Sequence, residues 1–264
     1  MNPSLGDGVL LGLIQGLTEF LPISSSGHLV LGQELLGFEP TGVLFEVVLH
    51  VATLLSVVIA YRKRLFDLLR GALRREGAAW RYLGLLVLAS LPAAVVGLGF
   101  RTIIERAFDS GATLAAGFLV TALALYSTRW ARPGPLPERI TPGAALLMGV
   151  AQAVAILPAV SRAGSTIVVG LWSGIGPAAA AEFSFLMSII AVGGSGLLML
   201  ADVPPGFDLW SAGLVAAFVT ALVSGIWAIR FLVRLLRVGQ VHHFAWYCAV
   251  LAVLSFLWIG FGRG

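Results

Sequence analysis

The sequence predicts an all-α polytopic membrane protein with six transmembrane helices and two re-entrant broken-helix segments. Its 264 residues are 58% hydrophobic and 11% charged, whereas soluble domains usually carry about 25% charged residues. The mean hydropathy of +0.96 agrees with this imbalance. So little charge excludes a soluble enzyme and a disordered chain, and the single cysteine, Cys248, excludes a disulfide scaffold and cysteine-based zinc sites.

Six apolar stretches approach the roughly 20 residues that a helix needs to cross a bilayer. Two further apolar stretches, near 8–35 and 143–175, are interrupted by proline, glycine and clustered serine. Irregular backbone within a membrane must be buried in protein or line a cavity, so these two stretches predict broken, re-entrant helices. The six predicted spans lie near residues 43–60, 83–100, 112–128, 178–200, 209–229 and 244–261.

The basic residues predict the orientation of the spans, because cytoplasmic loops of membrane proteins are enriched in Lys and Arg. Thirteen of the 17 basic residues fall in segments 61–82, 129–142 and 230–243. We therefore expect both termini to lie outside the cytoplasm and these three segments to lie inside it. No basic residue precedes Arg62, so no cleavable signal peptide is expected. Segment 61–82 is expected to contact anionic lipid headgroups, not nucleic acid.

An internal repeat relates the two broken segments. Residues 12–17 match residues 149–154 at an offset of 137, and residues 21–25 match residues 157–161 at an offset of 136. Three anchors of this kind, including the phenylalanines at 45 and 183, predict a duplication within the chain.

The two halves, about 1–130 and 140–264, are expected to form a single transmembrane domain. Each half would hold one broken segment and three spans. An odd number of spans inverts the second half relative to the first, so the tips of the broken segments are expected to meet near the middle of the membrane.

Polar residues cluster at these two tips. A charged side chain at the bilayer centre costs at least ~2.5–3.5 kcal/mol on insertion scales and therefore indicates function. Gln15 and Glu19 are four residues apart and share one helix face, and Arg162 is the cation placed to face Glu19. The other polar residues are Ser24, Ser25, Ser26 and His28 at the first tip and Ser161, Ser165 and Thr166 at the second.

These residue types suit phosphate chemistry. The planar guanidinium of Arg162 matches phosphate oxygens, and hydroxyls at a helix N-terminus add further donors. Glu19 and Gln15 can hold a divalent cation, Mg²⁺ or Ca²⁺, and His28 can act as acid, base or nucleophile. Ser25, His28 and an activated water are the candidate nucleophiles, and the favoured hypothesis has Ser25 attack with His28 as its base. The pattern predicts a phosphate or diphosphate site within the bilayer.

Two tip motifs, FLPISSSGHL at 20–29 and LPAVSRAGST at 157–166, are accompanied by FEVVLHVATLLSVV, SLPAAVVGL and AAAEFSFLMSI elsewhere. In this order they resemble the undecaprenyl-diphosphate phosphatase family, also called the bacitracin-resistance protein family. The resemblance implies hydrolysis of undecaprenyl diphosphate, a polyprenyl diphosphate lipid, to undecaprenyl phosphate and inorganic phosphate. This reaction recycles the lipid carrier of peptidoglycan synthesis. The resemblance also implies a protein of the bacterial plasma (inner) membrane whose site opens to the extracytoplasmic side.

The resemblance also assigns roles to individual residues. Two positions depart from the family pattern: Ala159 stands where glycine is usual, and Ala163 where a second serine is usual. The first is expected to stiffen or shift a turn and the second to remove a phosphate donor, which predicts weak activity or an altered substrate. The positions that do match are Gln15 and Glu19 of an (E/Q)xxxE pair, the essential Ser25 and His28, and Ser161, Arg162 and Thr166 of PGxSRSxxT.

A transporter or flippase of a polyprenyl phosphate lipid is the alternative, because inverted repeats with broken helices are typical of transporters. The clustered carboxylate, histidine, serine and arginine favour an enzyme, since a carrier needs a phosphate clamp but no adjacent base and nucleophile. The sequence leaves the oligomeric state open, a homo-oligomer included.

Overall fold

The computed structural model describes residues 3–38, 44–108, 110–131, 140–200 and 211–262, and its regular elements there are all helical. A single 3₁₀ turn, Val241–His243, precedes the last helix. The α-helices are α1 (Leu5–Phe20), α2 (Ser25–Leu36), α3 (Leu44–Ala60), α4 (Arg62–Leu73), α5 (Gly77–Gly99), α6 (Arg101–Phe108), α7 (Gly111–Ser127), α8 (Pro142–Val154), α9 (Arg162–Trp172), α10 (Pro177–Leu200), α11 (Ala212–Val238) and α12 (Phe244–Gly262).

The helices are those of a multi-pass membrane protein. Within the described ranges, four segments are each long and apolar enough to cross a membrane: α5, α10, α11 and Val241–Trp258, which contains most of α12. The bent pairs α3–α4 and α6–α7 raise the number of spans to as many as six. The predicted all-α, polytopic fold is confirmed, and each of the six predicted spans overlaps one of these helices.

Helix α4 lies where the sequence analysis expected only a loop. Segment 61–82 contains α4 and the start of α5, which begins at Gly77 and not near residue 83. Helix α4 is amphipathic and bends by 74° away from α3. Leu68 packs in the core, whereas Phe66 and Leu73 are exposed. Arginines interrupt the apolar residues without preventing a helix, although the two kinds of side chain are not fully separated onto opposite faces.

Helix α11 also continues further than expected, to Val238, so it carries the basic residues at 230, 234 and 237. Long basic side chains can lie at the end of a spanning helix because they extend to the polar interface. Arg132, Arg139 and Arg263, three of the residues counted for orientation, lie outside the described residues.

Small residues allow the broken segments to pack closely against spanning helices. A Cβ atom added to Gly16 of α1 would collide with the carbonyl oxygen of Ala221 in α11. A Cβ atom added to Gly149 of α8 would collide in the same way with the carbonyl oxygen of Ala89 in α5. Contacts between small residues are a main source of helix association in membranes, and here they hold α1 and α8 inside the helix assembly.

The helices recur with a nearly constant offset. Helix α8 begins 137 residues after α1, at Pro142 and Leu5, and α9 begins 137 residues after α2, at Arg162 and Ser25. The contacts recur too: α1 packs on α11 while α8 packs on α5, and the pairs α3–α10 and α7–α12 lie against each other. Each broken segment therefore packs on a span of the other half.

Candidate active site

Each broken segment turns at a residue with a left-handed backbone conformation. Ser24, directly before α2, has φ 71°, and Ala159, between α8 and α9, has φ 60°. The two turns lie side by side, because a Cβ atom added to Gly27 would be 3.0 Å from the Cβ of Ala159. The N-termini of α2 and α9 therefore meet in the interior, as the sequence predicts for the two tips.

Glu19 is the centre of a buried polar cluster. Its side chain is 8% exposed and that of Arg162 is 14% exposed. The Oε1 atom accepts a hydrogen bond from Arg162 Nη2 at 2.6 Å. The Oε2 atom accepts from Ser25 Oγ at 2.5 Å and from Gln15 Nε2 at 3.2 Å. Helices α1, α2 and α9 thus bring four predicted site residues into contact.

Two polar atoms of this cluster have no hydrogen-bond partner although they are buried: Nη1 of Arg162 and Oε1 of Gln15. Leaving a buried polar atom unpaired costs about 1–3 kcal/mol. A donor and an acceptor left open beside each other therefore indicate a ligand that carries both an acceptor and a donor or cation. The cluster borders a small depression lined also by Thr53 of α3 and Ser188 of α10.

His28 has other partners. Its Nδ1 lies 2.6 Å from the carbonyl oxygen of Ser24, which can only accept, so Nδ1 carries the proton. Its Nε2 lies 2.7 Å from the hydroxyl of Tyr247, which donates to Nε2 when the ring is neutral. Ser25 donates to Glu19 instead. The base within reach of the Ser25 hydroxyl is thus the carboxylate, unlike the Ser25–His28 pair that the sequence analysis favoured.

Two of the predicted phosphate ligands, Ser24 and Ser161, cap the starts of α2 and α9. Ser24 Oγ accepts from the backbone N–H of Gly27 at 3.5 Å and lies 3.2 Å from Ser26 Oγ. Ser161 Oγ accepts from the backbone N–H of Gly164 at 3.0 Å. Ser25 and Ser161 are equivalent in the repeat, yet only Ser25 bonds to Glu19. The position equivalent to Glu19 in the second half is Ile156, so Ser161 has no carboxylate partner there and caps α9 instead.

Thr166 and Ser165 also lie apart from the Glu19 carboxylate. Thr166 is fully buried, donates to the carbonyl oxygen of Arg162 at 2.8 Å and lies 2.6 Å from Ser184 Oγ. It therefore joins α9 to α10. Ser165 is partly exposed on the first turn of α9.

The chain matches the family model described as "Bacitracin resistance protein BacA" over residues 8–254. The chain belongs to the BacA family. Three similar proteins bear the name undecaprenyl-diphosphatase. The one from Carboxydothermus hydrogenoformans is 38% identical over 93% of this chain and 94% of its own. The one from Desulfosudis oleivorans is 39% identical over 96% of this chain and 97% of its own. The one from Bacteroides fragilis is 36% identical over 94% of this chain and 96% of its own. The family resemblance of the sequence is thereby confirmed.

The two departures from the BacA family motif are accommodated by packing. Ala159 is fully buried and packs with Leu114, Phe118 and Ala252, so its methyl fits although its left-handed conformation costs roughly 1–2 kcal/mol. Ala163 is 1% exposed and lies in an apolar cluster with other core residues. The turn remains in place, and Arg162 reaches Glu19 despite both alanines.

Two residues of this BacA family protein, Gln15 and Glu19, carry oxygen atoms of the kind that a divalent cation prefers. No group of three or more His, Cys, Asp or Glu side chains suited to a metal occurs in the part of the chain that the structure describes. Glu19 supplies one carboxylate, and Gln15 Oε1 is an open acceptor beside it. Mg²⁺ commonly keeps several waters and binds one or two carboxylates together with phosphate oxygens, so two protein ligands are sufficient for such a site.

Sequence reasoning missed two residues that support the tips. Thr121 of α7 bonds to the backbone of the second tip, and Tyr247 of α12 bonds to His28. Both lie within long apolar stretches, Thr121 in the predicted span 112–128 and Tyr247 in the predicted span 244–261. The available signal was a polar group in a membrane helix, but hydroxyls in spans usually bond to their own helix, as Thr53 does here.

Proposed function

We propose that this chain is an undecaprenyl-diphosphatase, which hydrolyses undecaprenyl diphosphate to undecaprenyl phosphate and inorganic phosphate. The reaction would regenerate the lipid carrier of cell-wall synthesis. The names of relatives that match almost the whole chain support this function. Within the structure, the supporting observation is a nucleophilic hydroxyl and a cation that converge on one buried carboxylate.

Arg162 is proposed to bind the terminal phosphate. Its Nη2 holds Glu19 at 2.6 Å, while the open Nη1 provides a donor for a phosphate oxygen. The guanidinium would thus connect carboxylate and phosphate, which its planar fork of donors allows. The first-turn amides of α2 and α9 add positive ends of helix dipoles near the same place.

Ser25 is proposed as the nucleophile, with Glu19 as its base. The Ser25 hydroxyl donates to Glu19 at 2.5 Å. As Oγ forms a bond to the terminal phosphorus, its proton passes to the carboxylate, and the bond from phosphorus to the bridging oxygen breaks. Undecaprenyl phosphate leaves with the bond's electron pair, and water then hydrolyses the phosphoserine. General-base assistance of this kind contributes about 10²- to 10⁴-fold. Direct attack by a water activated by Glu19 is the alternative.

The proposed cation, Mg²⁺ or Ca²⁺, would be held by Gln15 Oε1 and Glu19. When bound, it would neutralise negative charge on the diphosphate. The protein's own contribution is to keep Gln15 and Glu19 on one face of α1, where Gln15 Nε2 donates to Glu19 Oε2 at 3.2 Å and leaves Oε1 free.

The site is proposed to open to the extracytoplasmic side, with both termini there and the two halves inverted. The uneven distribution of basic residues supports this orientation. Single cysteines placed at Arg70 on α4 and at Glu105 on α6 test it, because α5 lies between them and the native Cys248 is buried. A membrane-impermeant thiol reagent should label the cysteine at 105 in intact cells and the one at 70 only after lysis. Labelling of both from one side would overturn the orientation.

The enzymatic function is tested with purified protein, a polyprenyl diphosphate and a divalent cation, with released phosphate as the readout. The wild type should release phosphate, and Glu19→Ala and Arg162→Ala should abolish it. No release by the wild type, or undiminished release by both variants, would refute the phosphatase. A flippase would instead move labelled lipid across vesicles without releasing phosphate.

A further inference from the structure

We propose that Thr121 of α7 is a positioning residue that sets where Arg162 lies in the site. The proposal rests on the proposed function, because it concerns the same guanidinium. Thr121 touches neither Glu19 nor Ser25; it acts on the turn that precedes α9, the helix on which Arg162 is the first residue.

The Thr121 hydroxyl satisfies two backbone groups that the broken helix leaves open. Its Oγ1 donates to the carbonyl oxygen of Ala159 at 3.0 Å, and the backbone N–H of Ser161 donates to the same Oγ1 at 2.9 Å. Thr121 is 1% exposed, so no water replaces these bonds at low cost. One side chain thus supplies hydrogen bonds to two backbone groups in the turn between α8 and α9.

The rest of α7 fits this turn closely. A Cβ atom added to Gly117, one helical turn before Thr121, would collide with the carbonyl oxygen of Pro158. Phe118 meets Gly27 of the first tip and packs edge-on against His28, with 5.6 Å between ring centroids. Helix α7 therefore contacts both tips, and the Thr121 hydroxyl is its polar connection to the second.

The position of the turn determines the position of Arg162. The backbone N–H of Ser161 donates to Thr121 Oγ1, and Ser161 Oγ accepts from the backbone N–H of Gly164. The start of α9 is therefore held both by α7 and by its own N-cap. The left-handed Ala159 is held in place by the same hydroxyl. A shift of the turn would move the guanidinium from the 2.6 Å contact with Glu19. A displacement of about 1 Å at a catalytic group can reduce the rate roughly 100-fold.

Thr121→Val and Thr121→Ser separate the hydroxyl from the shape of the side chain. Valine retains the volume and removes the hydrogen bonds, so kcat/KM should fall by about 10- to 100-fold. Serine retains the hydroxyl and should recover most of the activity. Thr113→Val, on the same helix, is the matched control and should behave like the wild type. Equal activity of Thr121→Val and wild type, or equal losses in Thr121→Val and Thr121→Ser, would overturn the proposal.

A thermal unfolding cycle tests the positioning without any catalysis. If Thr121 places Arg162 on Glu19, the fall in unfolding midpoint caused by Arg162→Ala should be smaller in a Thr121→Val background than in the wild type. Equal falls in both backgrounds would show a purely structural role and refute the proposal. A wild type that releases no phosphate would remove the proposed function, while this cycle would still decide whether Thr121 positions Arg162.

Discussion

The substitution Arg162→Lys tests whether the two terminal nitrogens of the guanidinium bind different partners, Glu19 and the phosphate. In the structure Nη2 is bonded to Glu19 Oε1 and Nη1 is buried without a partner. Lysine retains the positive charge but has a single nitrogen at its end. Its ammonium can remain on Glu19 or turn to the phosphate, but it cannot match both with the geometry of the fork.

The expected loss follows from one missing hydrogen bond. A hydrogen bond to a charged group contributes about 1.5–3 kcal/mol, which corresponds to roughly a 10- to 150-fold lower kcat/KM. Stability should change less, because lysine still compensates a carboxylate that is 8% exposed. Arg162→Ala would leave the Glu19 carboxylate buried without its cation. Removing one partner of a buried ion pair lowers stability by about 3–5 kcal/mol.

Phosphate release from a polyprenyl diphosphate gives kcat/KM, and thermal unfolding in detergent gives the stability. Arg64→Lys is the matched control, since Arg64 bonds Glu182 at 2.9 Å in a pair whose side chains are 41% and 30% exposed. That variant should retain wild-type kcat/KM. If Arg162→Lys also retains it, the open nitrogen does not bind the phosphate and the proposed binding mode is wrong.

Three further substitutions probe the packing, the nucleophile and the cation. Gly16→Ala should destabilise the protein by about 1–3 kcal/mol in thermal unfolding, because the added Cβ would meet the backbone of Ala221. Gly84→Ala, with open space around it, is the control and should not destabilise the protein. Equal stabilities of the two variants would refute the close α1–α11 contact. Ser25→Ala should lower kcat by at least about 100-fold while Ser195→Ala does not, and an active Ser25→Ala would favour attack by water. Gln15→Met should raise the Mg²⁺ concentration for half-maximal rate by about 10-fold or more. Gln152→Met, at the equivalent position of the repeat, should leave this concentration unchanged. If neither substitution changes it, Gln15 is not a ligand of the cation.

The composition and the motifs predicted much of the fold correctly. Apolar length identifies spans because every helix in lipid must satisfy its backbone internally, and Pro22 and Pro158 marked where the two helices break. Helix α4 was missed, because a short amphipathic helix rich in arginine has the composition of a polar loop. The broken segments were predicted within a few residues, at α1–α2 and α8–α9.

The candidate site was predicted in part. Glu19, Gln15 and Arg162 meet as the helix spacing and the charges indicate. The sequence could not decide which base serves Ser25, because both Glu19 and His28 lie within six residues of it along the chain. The structure orients His28 toward Tyr247 instead.

By itself, the sequence determined that the chain is a membrane protein with two broken helices and a polar cluster between them. These properties follow from composition and local spacing, which act along the chain. Only the tertiary structure decided that Ser25 bonds Glu19 while the equivalent Ser161 caps α9, and that Thr121 holds the second turn. Such pairings depend on turn geometry and on contacts between segments that are distant along the chain, which local spacing does not specify.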